Sequence, residues 1–265
     1  MKSLQKHISI IAVLLCILFT ACNKEDLQAE KAMQIIINGY NGNNNALQVS
    51  IDTTSFGPSV AGGKYIVNPS SLVSFNTVYT YPVNRPQAVL TLTDMETKAV
   101  VFSKPLPATG TKANFNFIYI DGKELAINPP ATDPATNKLG FYLRYTGSDA
   151  AFDIFLYRQD AATGKEYRAY LAKNVNPNTW IYPDYVPSAD FDDKNELRSA
   201  NIHFTLAGTT DQWAFNDNEN DSKISAFGMG FPLTGEKGLV QSYFLAHSSS
   251  QLERSCLFFQ ADRPW

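Results

Sequence analysis

The residues of this 265-residue chain that could do chemistry are its aromatic, acidic and histidine side chains, and the stretches holding them limit what each can do. Trp180, Tyr182 and Tyr185 lie in Asn178-Thr179-Trp180-Ile181-Tyr182-Pro183-Asp184-Tyr185-Val186-Pro187, where two prolines and the lack of clean alternation predict a loop. Flat ring faces beside Asn and Asp acceptors can grip a sugar, the ring stacking on C–H groups while the polar groups take hydroxyls. Trp213 and Tyr40 are candidate additions. Any of these rings could instead cap a core or line a domain interface. Asp217, Glu219 and Asp221 alternate with Asn218 and Asn220, and together they offer the oxygen ligands calcium prefers. They do not make an EF-hand, because Ser222 stands where the loop glycine belongs and Gly228 where the bidentate glutamate belongs. A solvated turn has the same composition.

Catalytic signatures are absent: there is no GxSxG, HExxH, P-loop or GxGxxG. His203 sits on the strand face opposite Ile202, Phe204 and Leu206, so it is expected to face solvent. His247 precedes Ser248-Ser249-Ser250, but no acid has a defined relation to it, and that stretch reads as a loop. Asp184, Asp192, Glu196 or Asp217 could serve as glycosidase acids only if two of them faced each other about 5–10 Å apart across a cleft. The expectation is a protein without catalysis and without a cofactor, calcium being the one candidate ion. Cys256, followed by Leu257-Phe258-Phe259, reads as a small buried hydrophobe.

The first 26 residues carry a different kind of information. Lys2 and Lys6 give a positive start, and residues 8–19 are apolar except for Ser9. That run suits a secretory signal (about 7–15 residues) and falls short of the roughly 20 a spanning helix needs. Phe19-Thr20-Ala21-Cys22 then resembles a bacterial lipobox, with Phe19 where an aliphatic residue is usual. The resemblance implies that residues 1–21 are removed and Cys22 is acylated, which anchors the protein in the outer membrane. Two or three acyl chains, at about 0.8 kcal/mol per buried methylene, hold a protein permanently where one does not. The alternative is an ordinary cleavage site with Cys22 as a small apolar residue. Lys24-Glu25-Asp26 is similar to the surface-export signal of Bacteroidota lipoproteins, which implies display on the cell exterior; otherwise it is a charged linker.

Loss of residues 1–21 removes Lys2 and Lys6 and no acid, leaving 20 basic and 25 acidic residues. Nothing in that balance favours nucleic acid, which needs clustered Lys and Arg. With Cys16 gone and Cys22 acylated, Cys256 remains alone, and no disulfide framework or CxxC knuckle can form.

Period-two alternation dominates the rest, and the fold class expected is all-β, two sandwiches of the immunoglobulin-like or transthyretin-like kind. After a tether (22–31), an N-terminal sandwich spans 32–127. Leu47, Val49 and Ile51 share one face, 88–93 and 99–102 flank a hairpin loop, and Asp121-Gly122 is a two-residue hairpin turn. Residues 38–45, rich in Asn and Gly, read as a loop. About seven strands with turn signals every 8–12 residues fit a sandwich. Leu47-Gln48-Val49-Ser50-Ile51-Asp52, the 79–82 segment and the paired strands resemble the immunoglobulin-like domain of unknown function 4397, with Asn84-Arg85-Pro86 where that family has a glycine. That resemblance implies a fold and no catalytic residues. The proline-rich 128–137 is the linker, and 138–265 forms a second sandwich with strands at 139–145, 152–158, 167–173, 202–206, 224–231, 240–246 and 254–260. No repeat of fixed period joins the halves. The function expected is extracellular binding, a glycan or a surface protein being the partner. The alternatives are a fimbrillin-like assembly subunit and a carboxylate-dependent glycoside hydrolase.

Overall fold

The computed structural model describes residues 30–56, 66–84, 87–191, 197–248 and 251–257. Cys22, Lys24, Glu25, Asp26, Asp192 and Glu196 lie outside the described residues. Met33–Tyr79 with Gln87–Trp265 forms one compact unit, and both sandwiches have their cores in it; Met1–Ala32 with Thr80–Pro86 forms another. The protein is all-β, with no helix among the described residues.

The first sandwich contains β1 (Glu30–Asn41), β2 (Leu47–Ile51), β3 (Thr54–Ser55), β4 (Ile66–Val67), β5 (Ser71–Pro82), β6 (Val89–Asp94), β7 (Val100–Pro105), β8 (Lys112–Ile120) and β9 (Lys123–Glu124). One sheet has the order β5-β1-β8-β9 and the other β3-β2-β6-β7, with β4 paired to β2. Alternation decides the packing. Met33, Ile35 and Ile37 of β1 face Leu47, Val49, Ile51, Leu90 and Leu92 of the other sheet, all fully buried or nearly so. Rings tie the sheets together, Phe102 meeting Phe117 edge-on at 5.1 Å and Phe56 meeting Phe75 at 5.5 Å. The β8–β9 hairpin turns on Asp121 and Gly122, both left-handed (φ 52° and 76°), as its sequence predicts. β1 begins at Glu30 and runs through to Asn41, so it takes residues 30–31 from the expected tether and 38–41 from the expected loop. Gly39 explains the second extension: it pairs with Phe117 in parallel β8, and a Cβ there would fall 1.6 Å from the Phe117 carbonyl oxygen. Asn41, fully buried, donates to the carbonyls of Asn45 and Asn68 and accepts from the Asn43 amide, which closes the short loop that follows.

The second sandwich contains β10 (Asn137–Arg144), β11 (Phe152–Gln159), β12 (Glu166–Val175), β13 (Trp180–Ile181), β14 (Asp184–Tyr185), β15 (Asn201–Leu206), β16 (Lys223–Ser225), β17 (Val240–His247) and β18 (Leu252–Leu257). Its sheets run β13-β10-β17-β18, with β14 on β10, and β12-β11-β15-β16. Leu139, Phe141, Leu143, Tyr243 and Leu245 of the first sheet and Phe152, Ile154, Leu156, Ile202 and Phe204 of the second share one core. Asn137, given above to the linker, is buried in β10, where its side chain donates to the Glu236 carbonyl and accepts from the Leu239 amide. The strand expected over 224–231 stops at Ser225, because left-handed Gly228 and Gly230 turn the chain away. His203 does not face solvent. The outer face of this sheet is aromatic, and Tyr157 (4.5 Å, stacked), Trp213 (5.2 Å) and Phe155 (5.6 Å) cover the imidazole. Burial holds its pKa down to about 4, so it is neutral.

The two sandwiches have the same topology. β10, β11, β12, β13, β15, β16, β17 and β18 occupy the places of β1, β2, β3, β5, β6, β7, β8 and β9. In each, the opening strand runs parallel to the next-to-last strand, β1 with β8 and β10 with β17. They meet through Tyr40, Ile118 and Ile120 of the first against Tyr142, Phe244, Ala246 and Leu257 of the second, with Tyr40 tilted on Phe244 at 5.1 Å.

Candidate ligand-binding cleft

A parallel pair delivers two chain ends to the same place. β10 and β17 run side by side, with Arg144 opposite Ala246, so Arg144-Tyr145-Thr146-Gly147 and His247-Ser248 emerge together. Alternation then sorts them. Tyr142 and Arg144 leave the outer face of the sheet toward the first sandwich, whereas Leu143 and Tyr145 stay with the second core. The Arg144 guanidinium lies over the Tyr40 ring, 5.6 Å from its centroid. Tyr145 packs on Phe215 at 4.8 Å, which brings in the loop of residues 207–222. Tyr40, Ser70, Arg144, Tyr145, Thr146, Gly147, Asn216, His247 and Ser248 line a cleft of about 600 Å³.

One hydrogen-bonded network forms its floor. The Tyr145 hydroxyl donates to Asn216 Oδ1 (3.0 Å) and accepts from the Asn216 amide (3.3 Å). Asn216 Nδ2 donates to Asp221 Oδ2 at 3.0 Å, and His247 Nε2 stands 3.1 Å from the same oxygen. With Nε2 protonated, His247 donates to Asp221, and its 3.3 Å approach to Asn216 Nδ2 is then a contact between donors. Asn216 and Asp217 are left-handed (φ 52° and 48°), the backbone turn that lets Asn216 point inward. Burial pushes the Asp221 carboxyl up, but the hydrogen bonds from Asn216 and His247 and the imidazole's charge together hold it below the usual carboxylate range. Beyond Tyr40, whose ring it covers and whose hydroxyl it also reaches, Arg144 has only loose partners: Nη1 is 3.4 Å from the Gly42 carbonyl and Nη2 is 4.0 Å from Asp121.

The residues proposed from sequence fall in several separate places. Trp180 is partly buried against the seam between the sandwiches, 5.4 Å from Tyr142 and stacked on Tyr182 at 5.8 Å. Tyr182 lies across β10, where a Cβ on Gly140 would fall 2.5 Å from its ring. Tyr185 is a core residue, 5% exposed and edge-on to Phe231 at 5.3 Å, which removes it from any ligand surface. Trp213 pairs its backbone with Thr205 and covers His203. The calcium set does not assemble. Asp217 is exposed, Glu219 turns out to Lys223 at 2.7 Å, and Asp221 turns in to Asn216 and His247. Among the described residues no three His, Cys, Asp or Glu side chains converge to hold a metal. Asp184 pairs with Lys138 at 2.6 Å. Sequence reasoning missed Arg144, Tyr145 and Asn216. Residues 144 and 247 are brought together only by the parallel pairing of β10 and β17, and nothing local announces it.

No family model and no curated protein matches this chain. Among solved structures, the chain is similar to a proposed cell adhesion protein from Bacteroides uniformis, at 11% identity over 84% of this chain and 97% of that one, with a TM-score of 0.30. It is also similar to the TIE protein of Bacillus anthracis, at 10% identity and a TM-score of 0.20, over 82% of this chain and 34% of that one.

Proposed function

We propose that the chain is a lipid-anchored protein of the cell exterior that binds a saccharide, without turning it over, in the cleft at the ends of β10 and β17. The lipobox-like Phe19-Thr20-Ala21-Cys22 and the Lys24-Glu25-Asp26 that follows support the anchor and its export. The lining of the cleft carries the ligand reading. Its volume of about 600 Å³ lies inside the usual range for small-ligand sites, roughly 300–1,000 Å³. Tyr40 and Tyr145, both largely buried, contribute only ring edges to the lining; Ser70, Thr146, Asn216, His247 and Arg144 offer hydrogen-bonding groups around them. That predominantly polar lining suits a molecule with many hydroxyls.

The same lining supports binding over hydrolysis. Glycoside hydrolysis commonly needs two carboxyl groups flanking the scissile bond, and among the described residues no carboxylate lines this cleft. Ser248, next to His247, spends its hydroxyl on the Gln251 carbonyl at 3.0 Å. The assembly-subunit reading would draw on β12, an edge strand of ten residues, but Arg168 and Lys173 on it are the charges that keep edges from pairing.

A glycan array probed with the protein is expected to show binding to a defined class of saccharide, lost in a Thr146→Trp variant, which fills the cleft from an exposed lining position. An array silent for a correctly folded monomer would remove the ligand reading. Cys22→Ala is expected to release the protein from membranes; a variant that stays membrane-bound would remove the anchor.

A further inference from the structure

The geometry points to an acidic saccharide, one bearing a carboxylate, as the ligand of this cleft, with Arg144 as the group that reads the charge. This rests on the saccharide reading above and sharpens it. The protein as a whole is acidic, with a formal charge of −3. Yet the ionisable side chains lining the cleft, apart from tyrosine, are Arg144 and His247, and neither is acidic. A neutral sugar could use both as hydrogen-bonding groups, but only an anionic one gains from the permanent charge of Arg144.

Arg144 is also underemployed. A guanidinium presents five N–H donors in a fork that matches a carboxylate. Here one terminal nitrogen reaches a carbonyl at 3.4 Å and the other is 4.0 Å from Asp121, beyond hydrogen-bond length. The ring of Tyr40 holds the fork from below at 5.6 Å, so its direction is set before a ligand arrives. Gly42 makes room for it, since a Cβ there would fall 1.9 Å from Arg144 Nη1. The acids nearby do not cancel the charge. Asp221 is behind the lining, bound to Asn216 and His247. Asp121, largely exposed at the rim, holds Arg144 only loosely. Glu253 acts on the Tyr40 hydroxyl, which Arg144 also reaches, leaving the guanidinium's remaining donors for a ligand. A ligand carboxylate would displace Asp121 and take both terminal nitrogens, while the hydroxyls and amide opposite take the sugar.

The test is calorimetric titration of the full chain, purified in detergent, with trisaccharides of galacturonate, glucuronate and mannuronate, each beside its neutral counterpart and beside sodium sulfate. At least one uronide is expected to bind about tenfold or more tighter than its neutral partner, the worth of one charge-assisted pair. Arg144→Gln should bring the two to equal affinity, Arg144→Lys should keep part of the preference, and Asp121→Asn should tighten the uronide two- to threefold. Melting temperatures of the variants separate lost binding from lost folding, and Arg144→Lys retains a cation over Tyr40. If neutral sugars bind as well as uronides and Arg144→Gln changes nothing, the charge reading is overturned and the saccharide reading stands. If no sugar binds, both fall. Sulfate binding as tightly as the best uronide would make this a bare anion site and would also overturn the inference.

Discussion

Two aspartates at opposite ends of corresponding connections show what separates the two sandwiches. Asp94 ends β6 of the first and Asp221 stands just before β16 of the second, the strand in the place of β7. Both are buried, at 3% and 7% exposure, and hydrogen bonds hold both carboxyls below their ordinary range. For Asp94 the largest cause is the Thr97 amide, with further bonds from Asn45 and Glu96, so its oxygens are spent on closing a tight hairpin loop. Asp221 instead holds two side chains that line the cleft, Asn216 and His247. The β6–β7 connection takes residues 95–99 and its counterpart 207–222; the β7–β8 connection takes 106–111 and its counterpart 226–239. One strand plan therefore serves twice. Where the loops stay short, the carboxylate stabilises a turn; where they lengthen, it fixes two side chains of the cleft lining. The ends of the opening strands repeat the contrast. β1 ends in Asn41, whose side chain is sealed by three hydrogen bonds to backbone groups, and β10 ends in Arg144, which lies over Tyr40 with only loose contacts to Gly42 and Asp121.

The parallel pairs are common to both sandwiches, and breaking one should have the largest effect. Gly39→Ala forces a Cβ into the Phe117 carbonyl, and the first sandwich is expected not to form, which circular dichroism and proteolysis would show. A variant that melts near wild type would mean that β1 and β8 do not approach so closely. At the seam, Trp180→Ala should cost about 3–5 kcal/mol, the usual range for a large aromatic removed from packing. Trp180→Phe should cost far less, because the indole N–H is buried without a partner and its loss strands nothing. Equal losses for the two would mean the indole nitrogen has a partner.

His203 distinguishes the sandwiches by pH. Its pKa falls from 6.5 unfolded to about 4 folded, so the folded state excludes a proton the unfolded state takes up. Its contribution is fully present above pH 6.5 and lost as the pH falls toward 4, on the order of 3 kcal/mol at most. Denaturant unfolding at a series of pH values should show that loss in the wild type and a flatter profile in His203→Phe. Asp94→Asn and Asp221→Asn should have the smallest structural effects and opposite consequences. The first is expected to lower the melting temperature while leaving saccharide binding intact; the second should weaken binding about tenfold with little change in melting. Identical behaviour would erase the distinction between the two carboxylates.

Strands were the legible part of the sequence. Leu47, Val49 and Ile51 announce β2, and Asp121-Gly122 announces its hairpin, because both signals are local. The same rule misplaced His203. Alternation says which residues share a face, and it put His203 opposite Ile202 and Phe204 correctly, but exposure of that face is a separate matter. Phe155 and Tyr157, on the same outer face of the neighbouring strand, were the available sign that it is covered. The shared topology was invisible because strand order leaves no fixed period when loops differ in length. The site was the least legible. Trp180 and Tyr185 have the composition of a sugar site and are packed at the seam and in the core. Arg144 and His247 are unremarkable in sequence and meet only through strand pairing across the length of a domain.

Hydrogen–deuterium exchange with and without a saccharide found on the array would test the central claim most directly. Binding in the cleft predicts slower exchange at residues 142–148, 215–221 and 245–248, with the aromatic outer face around Trp213 and Tyr170 unchanged. Protection confined to that outer face and to β12 would contradict it, and would move recognition to the opposite side of the second sandwich.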